Sequence, residues 1–207
     1  MSATKRNKSE HPRMTNDLYS TPSWCVRRLV ENFPELCDLS VSSKGVWLEP
    51  AAGKGNLIRE FNSVLPQRPI WDAFDVDEQH KDTLKSLADV TIGDFTHMKP
   101  VPRKYEVIVT NPPYSIAMEF VEKAREFEPK YLILLLRTNF LASQTRADFM
   151  REFTPDVYLL PNRPCFVRGK SDNTEYMWAV WDRDKTPGTP GKILMLNSTS
   201  VAERKLG

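Results

Sequence analysis

From residue 46 onward, short apolar runs alternate with segments whose apolar residues recur every three or four positions. Residues 46–49, 70–74, 90–92, 105–110, 131–136, 157–160 and 177–181 read as seven strands. The run at 131–136 is almost wholly apolar, as expected of a strand covered on both faces. Between the runs, helices are expected over residues 57–61 and beyond, 78–87, 116–127 and 143–153, the last with Ser143 as its cap. Upstream, Trp24, Val26, Leu29, Val30 and Phe33 follow helical spacing. Thr21 is the expected N-cap there, Pro22 the first helical residue, and Pro34 an interruption near the end. Strands alternating with helices at this spacing predict an α/β fold: a seven-stranded, mostly parallel sheet with helices on both faces. Residues 193–196 offer a further edge strand.

Composition narrows the class. A chain of 207 residues suffices for one sizeable core, and 40% hydrophobic with 27% charged residues is ordinary for a globular protein. A single domain over residues 17–197 is expected, between a flexible basic arm (1–16) and a polar tail (198–207). No apolar run is long enough to span a bilayer, and no signal peptide is legible, so the expected setting is cytoplasmic. Cys25, Cys37 and Cys165 show no close pairing, and His11, His80 and His97 no ligand spacing. Neither a disulfide framework nor a metal site is expected. Net charge is only +2, but Lys5, Arg6, Lys8 and Arg13 face only Glu10 in the first sixteen residues. Such an arm suits a phosphate backbone.

The chemistry concentrates after the strands, where open α/β sheets bind ligands. Asn111-Pro112-Pro113-Tyr114 follows the fourth strand. Two prolines stiffen this loop and remove two N–H donors, leaving carbonyl acceptors. Asn111 adds an acceptor oxygen and Tyr114 a flat ring. The set suits a planar substrate bearing an amino group, such as adenine. After the first strand, Glu49-Pro50-Ala51-Ala52-Gly53-Lys54-Gly55 forms a glycine loop that is neither a complete dinucleotide fingerprint nor a P-loop. The second strand ends at Asp75, with Asp77 as an alternative, where a carboxylate can take both hydroxyls of a ribose. Asp94 and Phe95 follow the third strand, placed for an exocyclic amine and an aromatic face.

In this order, the motifs resemble those of the class I S-adenosylmethionine-dependent methyltransferases with a Rossmann-like fold. They are most similar to those that make N6-methyladenine in DNA. The resemblance runs from about residue 17 to residue 181. It implies S-adenosyl-L-methionine as cofactor, and DNA, with the target adenine flipped out, as partner. Tyr19 and Thr21, in the segment 17–22, would meet the methionine end of the cofactor together with Glu49, Pro50, Ala51 and Gly53. Asp75 would take the ribose, Asp94 and Phe95 the cofactor adenine. Asn111, shared with the cofactor, and Pro112, Pro113 and Tyr114 would be catalytic. Phe166, in a late loop, would face the target base opposite Tyr114, and Arg163, Arg168 and Lys170 would grip the nucleic-acid backbone. Trp178 and Trp181 read as core.

The implied mechanism is in-line methyl transfer to an amino nitrogen that donates to Asn111 Oδ1 and the Pro112 carbonyl, with no base needed beforehand. Aromatic rings would replace the stacking lost on flipping. Little of the chain is left for a separate target-recognition region. RNA adenine, a protein glutamine amide, or a non-catalytic nucleic-acid-binding subunit of this fold remain alternatives.

Overall fold

The computed structural model describes residues 20–99, 103–166 and 173–205. The basic arm, Tyr19, Arg168 and Lys170 lie outside the described residues.

Helices α1 (Ser23–Asn32) and α2 (Glu35–Ser42) precede the first strand. There follow β1 (Val46–Glu49), α3 (Asn56–Val64), β2 (Ile70–Asp75), α4 (Lys81–Lys85), β3 (Asp89–Ile92), β4 (Tyr105–Thr110), α5 (Ala117–Arg125) and β5 (Tyr131–Arg137). The chain continues through α6 (Ala147–Glu152), β6 (Asp156–Leu160), β7 (Tyr176–Asp182), β8 (Ile193–Met195) and α7 (Val201–Lys205). The strands form one eight-stranded sheet in the order β3-β2-β1-β4-β5-β7-β6-β8. Only β7 runs antiparallel to its neighbours. The seven expected strands are present, and the segment at 193–195 pairs with β6 as an eighth.

Alternation along the strands divides the core into two layers. Trp47, Val107, Val109, Ile133, Leu135, Tyr176 and Trp178 pack beneath α1, α2 and α3. Leu48, Ile108, Leu132, Leu134, Met177 and Trp181 pack beneath α5 on the other face. Successive strand residues point to opposite faces, so continuous apolar runs such as Leu132–Leu136 serve both layers at once. Trp178 and Trp181 are both buried, as read; their indole N–H groups donate to the carbonyls of Cys25 and Phe153.

The helical segments differ most from expectation. α1 stops at Asn32, just before Pro34 as expected, but Pro34 also begins a helix: with φ −63° it sits at the N-cap of α2, which the apolar spacing did not reveal. Proline's fixed φ suits a helix start. Pro22, not Thr21, occupies the cap of α1, and no side chain caps it. Residues 78–87 split into a 3₁₀ turn at Glu78–His80 and the short α4. Ser143 does stand at the head of the helical run, at the N-cap of a 3₁₀ turn (Gln144–Arg146) that leads into α6, but its hydroxyl meets that of Thr145 and caps no N–H. The polar tail contains α7, held to α1 by an ion pair between Arg28 and Glu203 at 2.8 Å.

The sheet order also fixes the site. From β1 the chain crosses to β2 on one side, while β4 joins β1 on the other. This reversal opens a crevice at the carboxyl ends of β1 and β4. Glu49 ends β1 and Asn111 follows β4.

Candidate active site

A cavity of about 250 Å³ occupies this crevice. Its lining includes Thr21, Glu49, Pro50, Ala51, Gly53, Asp75, Asp94, Phe95, Asn111 and Pro113. Residues far apart in sequence, named as candidates from their motifs, therefore share one space.

The glycine loop builds the floor. Gly53 and Gly55 have φ of +52° and +77°, a left-handed conformation open to glycine without strain. A side chain on Gly55 would collide with Leu87 and Leu84, whereas nothing lies within 4 Å of a Cβ built on Gly53. The space above Gly53 is open to a ligand. Its N–H donates to Asp75 Oδ2 at 2.5 Å.

Asp75 is only 7% exposed. Its Oδ1 accepts from the Asp77 N–H at 2.8 Å and faces His80 Nδ1 at 3.0 Å. Asp77, the alternative acid, also lines the cavity and is less buried. One of its oxygens caps Gln79 N–H at 2.9 Å. Between them Val76 is 65% exposed, an apolar side chain at the cavity edge that sequence reading passed over. The available signal was a valine left outside the core between two strand-end acids.

Glu49 is 1% exposed. Neither of its oxygens, nor the Thr110 hydroxyl, has a hydrogen bond of normal geometry among the described residues. Burial pushes its pKa well above the usual carboxylate range; the nearby Thr110 hydroxyl and the Ala51 backbone pull it back only in part. A buried, unsatisfied carboxyl is costly unless a ligand completes it. Asp94 is its opposite. It caps the turn Phe95–His97 and takes the Thr96 N–H at 2.9 Å, the Thr96 hydroxyl at 2.7 Å and His97 Nδ1 at 2.8 Å. The Thr96 hydroxyl, followed by His97, holds its carboxyl below the ordinary range.

Phe95 borders the cavity, but its ring is 2% exposed and stacks on Phe127 at 5.9 Å, with Phe120 at 5.5 Å. It supports the wall from the core instead of lying open as a stacking face. Ile116 and Phe120 complete this apolar side.

At the β4 end, Asn111 is held at both ends of its amide. Nδ2 donates to Thr21 Oγ1 at 3.1 Å, and Oδ1 accepts from the Tyr114 hydroxyl at 2.7 Å. Thr21, buried at the start of α1, thus orients Asn111. Pro112 is buried and Pro113 half-buried. The Tyr114 ring lies 6.3 Å from Phe166 and 5.6 Å from Tyr176, with the Arg137 guanidinium 4.9 Å over it. Burial, then Tyr176, pushes the Tyr114 hydroxyl's pKa well up, so it stays a donor.

Tyr114 and Phe166 are brought together, but not as the two walls of a slot. Their planes meet at 60°, whereas a base between parallel rings needs about 7 Å, twice the contact distance. Tyr176 and Arg137 were missed as parts of this cluster because the sequence reading left each just outside a strand, in the flanking loop, whereas they pair with each other at the ends of β7 and β5. Arg163 is exposed and paired with Glu175 at 2.6 Å. Among the described residues no group of His, Cys, Asp and Glu could hold a metal ion, and no helix is long and apolar enough to cross a membrane.

The architecture is shared with known structures. A 23S rRNA methyltransferase superposes with a TM-score of 0.56 at 17% identity, over 78% of this chain and 70% of that one. A type I restriction-modification methyltransferase subunit from Streptococcus thermophilus gives 0.66 at 12% identity, over 91% of this chain and 52% of that one. A dimethyladenosine transferase from Plasmodium falciparum gives 0.51 at 19% identity, over 82% and 63%. No family model matches the sequence, and none of the curated proteins matches it. The fold is that of the class I methyltransferases. The chain spans about half of the restriction-modification subunit.

Proposed function

We propose that the protein transfers a methyl group from S-adenosylmethionine to the exocyclic amino nitrogen of adenine in DNA. The carrying observation is the Asn111 amide, fixed so that its oxygen is the acceptor at the junction of the cavity and the aromatic cluster.

The cavity suits the cofactor on three counts. Gly53 leaves open space above the loop. Glu49 offers a buried acceptor lacking a partner, suited to the methionine ammonium. Asp75 and Asp77 stand side by side for a ribose. Asp75 already accepts three N–H groups, and a carboxylate has about four acceptor positions. One ribose hydroxyl therefore goes to Asp75 and the other to Asp77. Val76 covers the open side of the cofactor's adenine, with Asp94 at its amine.

When bound, S-adenosylmethionine supplies a methyl group on a positively charged sulfur. The chain's own residues prepare the acceptor. Asn111 Oδ1, which accepts from the Tyr114 hydroxyl, and the Pro112 carbonyl next in the loop are the acceptors offered to the target amine. Two N–H bonds from the target amine to these oxygens draw its lone pair out of conjugation and aim it at the methyl carbon. The C–N bond forms as the C–S bond breaks, and the surplus proton leaves to water. Alignment and fixed dipoles supply the rate. Tyr114 offers a stacking face to the flipped base once Phe166 turns aside. Arg163 grips the backbone by exchanging Glu175 for phosphate.

Incubation with labelled cofactor and DNA, RNA or protein, followed by nucleoside and amino-acid mass spectrometry, tests this. N6-methyladenine in DNA is expected. Label in RNA alone or on glutamine would move the substrate and keep the chemistry; no label in any of the three would overturn the enzymatic reading.

A further inference from the structure

We propose that His80 is a positioning residue for the cofactor's ribose, acting by fixing the Asp75 carboxylate in the cavity wall. The inference rests on the reading of the cavity as an S-adenosylmethionine site.

The geometry around Asp75 is unusually determined for a strand-end acid. Oδ2 takes the Gly53 N–H at 2.5 Å, and Oδ1 takes the Asp77 N–H at 2.8 Å and His80 Nδ1 at 3.0 Å. Both acceptor positions of Oδ1 are thereby used, and Oδ2 keeps one. Two of the three donors are backbone groups of the loops that carry the site. His80 is the only side chain among them.

His80 itself is only 7% exposed. It closes the 3₁₀ turn Glu78–His80, whose own geometry is set by Asp77: the Asp77 side chain caps Gln79, and the His80 N–H donates to the Asp77 carbonyl at 3.1 Å. The end of β2 and the turn that follows it therefore carry both acids of the ribose pair and the imidazole that holds the first of them. The carboxylate torsion of aspartate is soft, with broad minima. Removing the imidazole leaves Oδ1 with one donor and lets the carboxylate rotate, so its single free acceptor position no longer points consistently at a ribose hydroxyl. The same logic makes the partners of metal-bound histidines matter to affinity without touching the metal.

A core histidine that merely fills space would produce a different pattern, and two ligands separate the cases. Binding of S-adenosylhomocysteine and of its 2′,3′-dideoxy analogue is measured by calorimetry on the full chain and on His80→Leu and His80→Asn. The wild type is expected to prefer the ligand with the hydroxyls. His80→Leu should lose about tenfold in affinity for S-adenosylhomocysteine and less than twofold for the dideoxy analogue. His80→Asn, which keeps an N–H donor near the Nδ1 position, should restore most of the loss. Equal losses for both ligands, or none for either, would overturn the positioning role. Should His80→Leu not fold, His80→Ser carries the same two-ligand comparison. A wild type that binds neither ligand would instead refute the cavity reading itself, and the proposal with it.

Discussion

On the β1–β2–β3 side of the crevice, polar groups line an open cavity of about 250 Å³ with their positions already set. On the β4–β5–β7 side, Tyr114, Phe166, Tyr176 and Arg137 fill the space with one another. The first region is made from glycine-loop backbone and strand-end carboxylates that surround a cavity. The second is made from side chains that satisfy each other until something better arrives. On the proposed function, a preformed half and a self-filled half imply an order: the cofactor would need no rearrangement, whereas a base would have to displace an aromatic contact before stacking. Asn111 belongs to both, bonded to Thr21 on one side and Tyr114 on the other.

The sharpest test of this division is Asn111→Ala. Removing one preorganised hydrogen-bonding group at a reacting centre costs about 10²–10³-fold in kcat. Turnover should fall by that much with cofactor affinity changed less than about threefold, as read by single-turnover kinetics and calorimetry. Equal loss of both would mean that Asn111 serves the cavity alone.

Asp75→Ala addresses the open half. Hydrogen bonds to charged groups are worth about 1.5–3 kcal/mol, so cofactor affinity should weaken roughly tenfold or more, with kcat at saturation largely kept. Unaltered affinity would transfer the whole ribose contact to Asp77.

Tyr114→Ala addresses the filled half. Base–aromatic stacking is worth about 1–3 kcal/mol, and the change should appear in KM for DNA and in base-flipping fluorescence of a 2-aminopurine substrate. Tyr114→Phe should stay near wild type in flipping. If Phe and Ala variants behave alike, the hydroxyl on Asn111 matters more than the ring.

The smallest effect is expected in stability. Glu49 is buried with its pKa raised well above the ordinary value. Its folded state therefore binds the proton more tightly than the unfolded chain, whose glutamates titrate near about 4.3. Stability is lost as pH rises from that value through the folded pKa. Ligand-free Glu49→Gln should match the wild type in Tm below about pH 4 and exceed it at neutral pH. Parallel melting curves at every pH would mean that Glu49 finds a partner in solution.

The order of strands and acids was legible because it is local. An apolar run followed by glycines or a carboxylate needs only neighbouring residues to be read, and Glu49, Gly53, Asp75, Asp94 and Asn111 all reach one crevice. Both buried tryptophans of β7 were equally plain. Helices were harder to read. The apolar pattern of α2 is short, and Pro34, taken as a break, begins it. Whether Ser143 or Thr21 caps a helix depended on competing partners, Thr145 and Asn111, that spacing does not show.

What the sequence determined on its own is the set of motifs and the alternation that makes a parallel, two-sided sheet. Periodicity and turn chemistry act over a few residues, so they survive in one dimension. What only the tertiary structure decided is which polar groups are already spent. His80 and Asp75 are five residues apart, and their pairing depends on how a 3₁₀ turn folds back on a strand end. Tyr114 meets Tyr176 and Phe166 only because β7 runs antiparallel beside β5. Such contacts depend on distances across the sheet, and no local pattern encodes them.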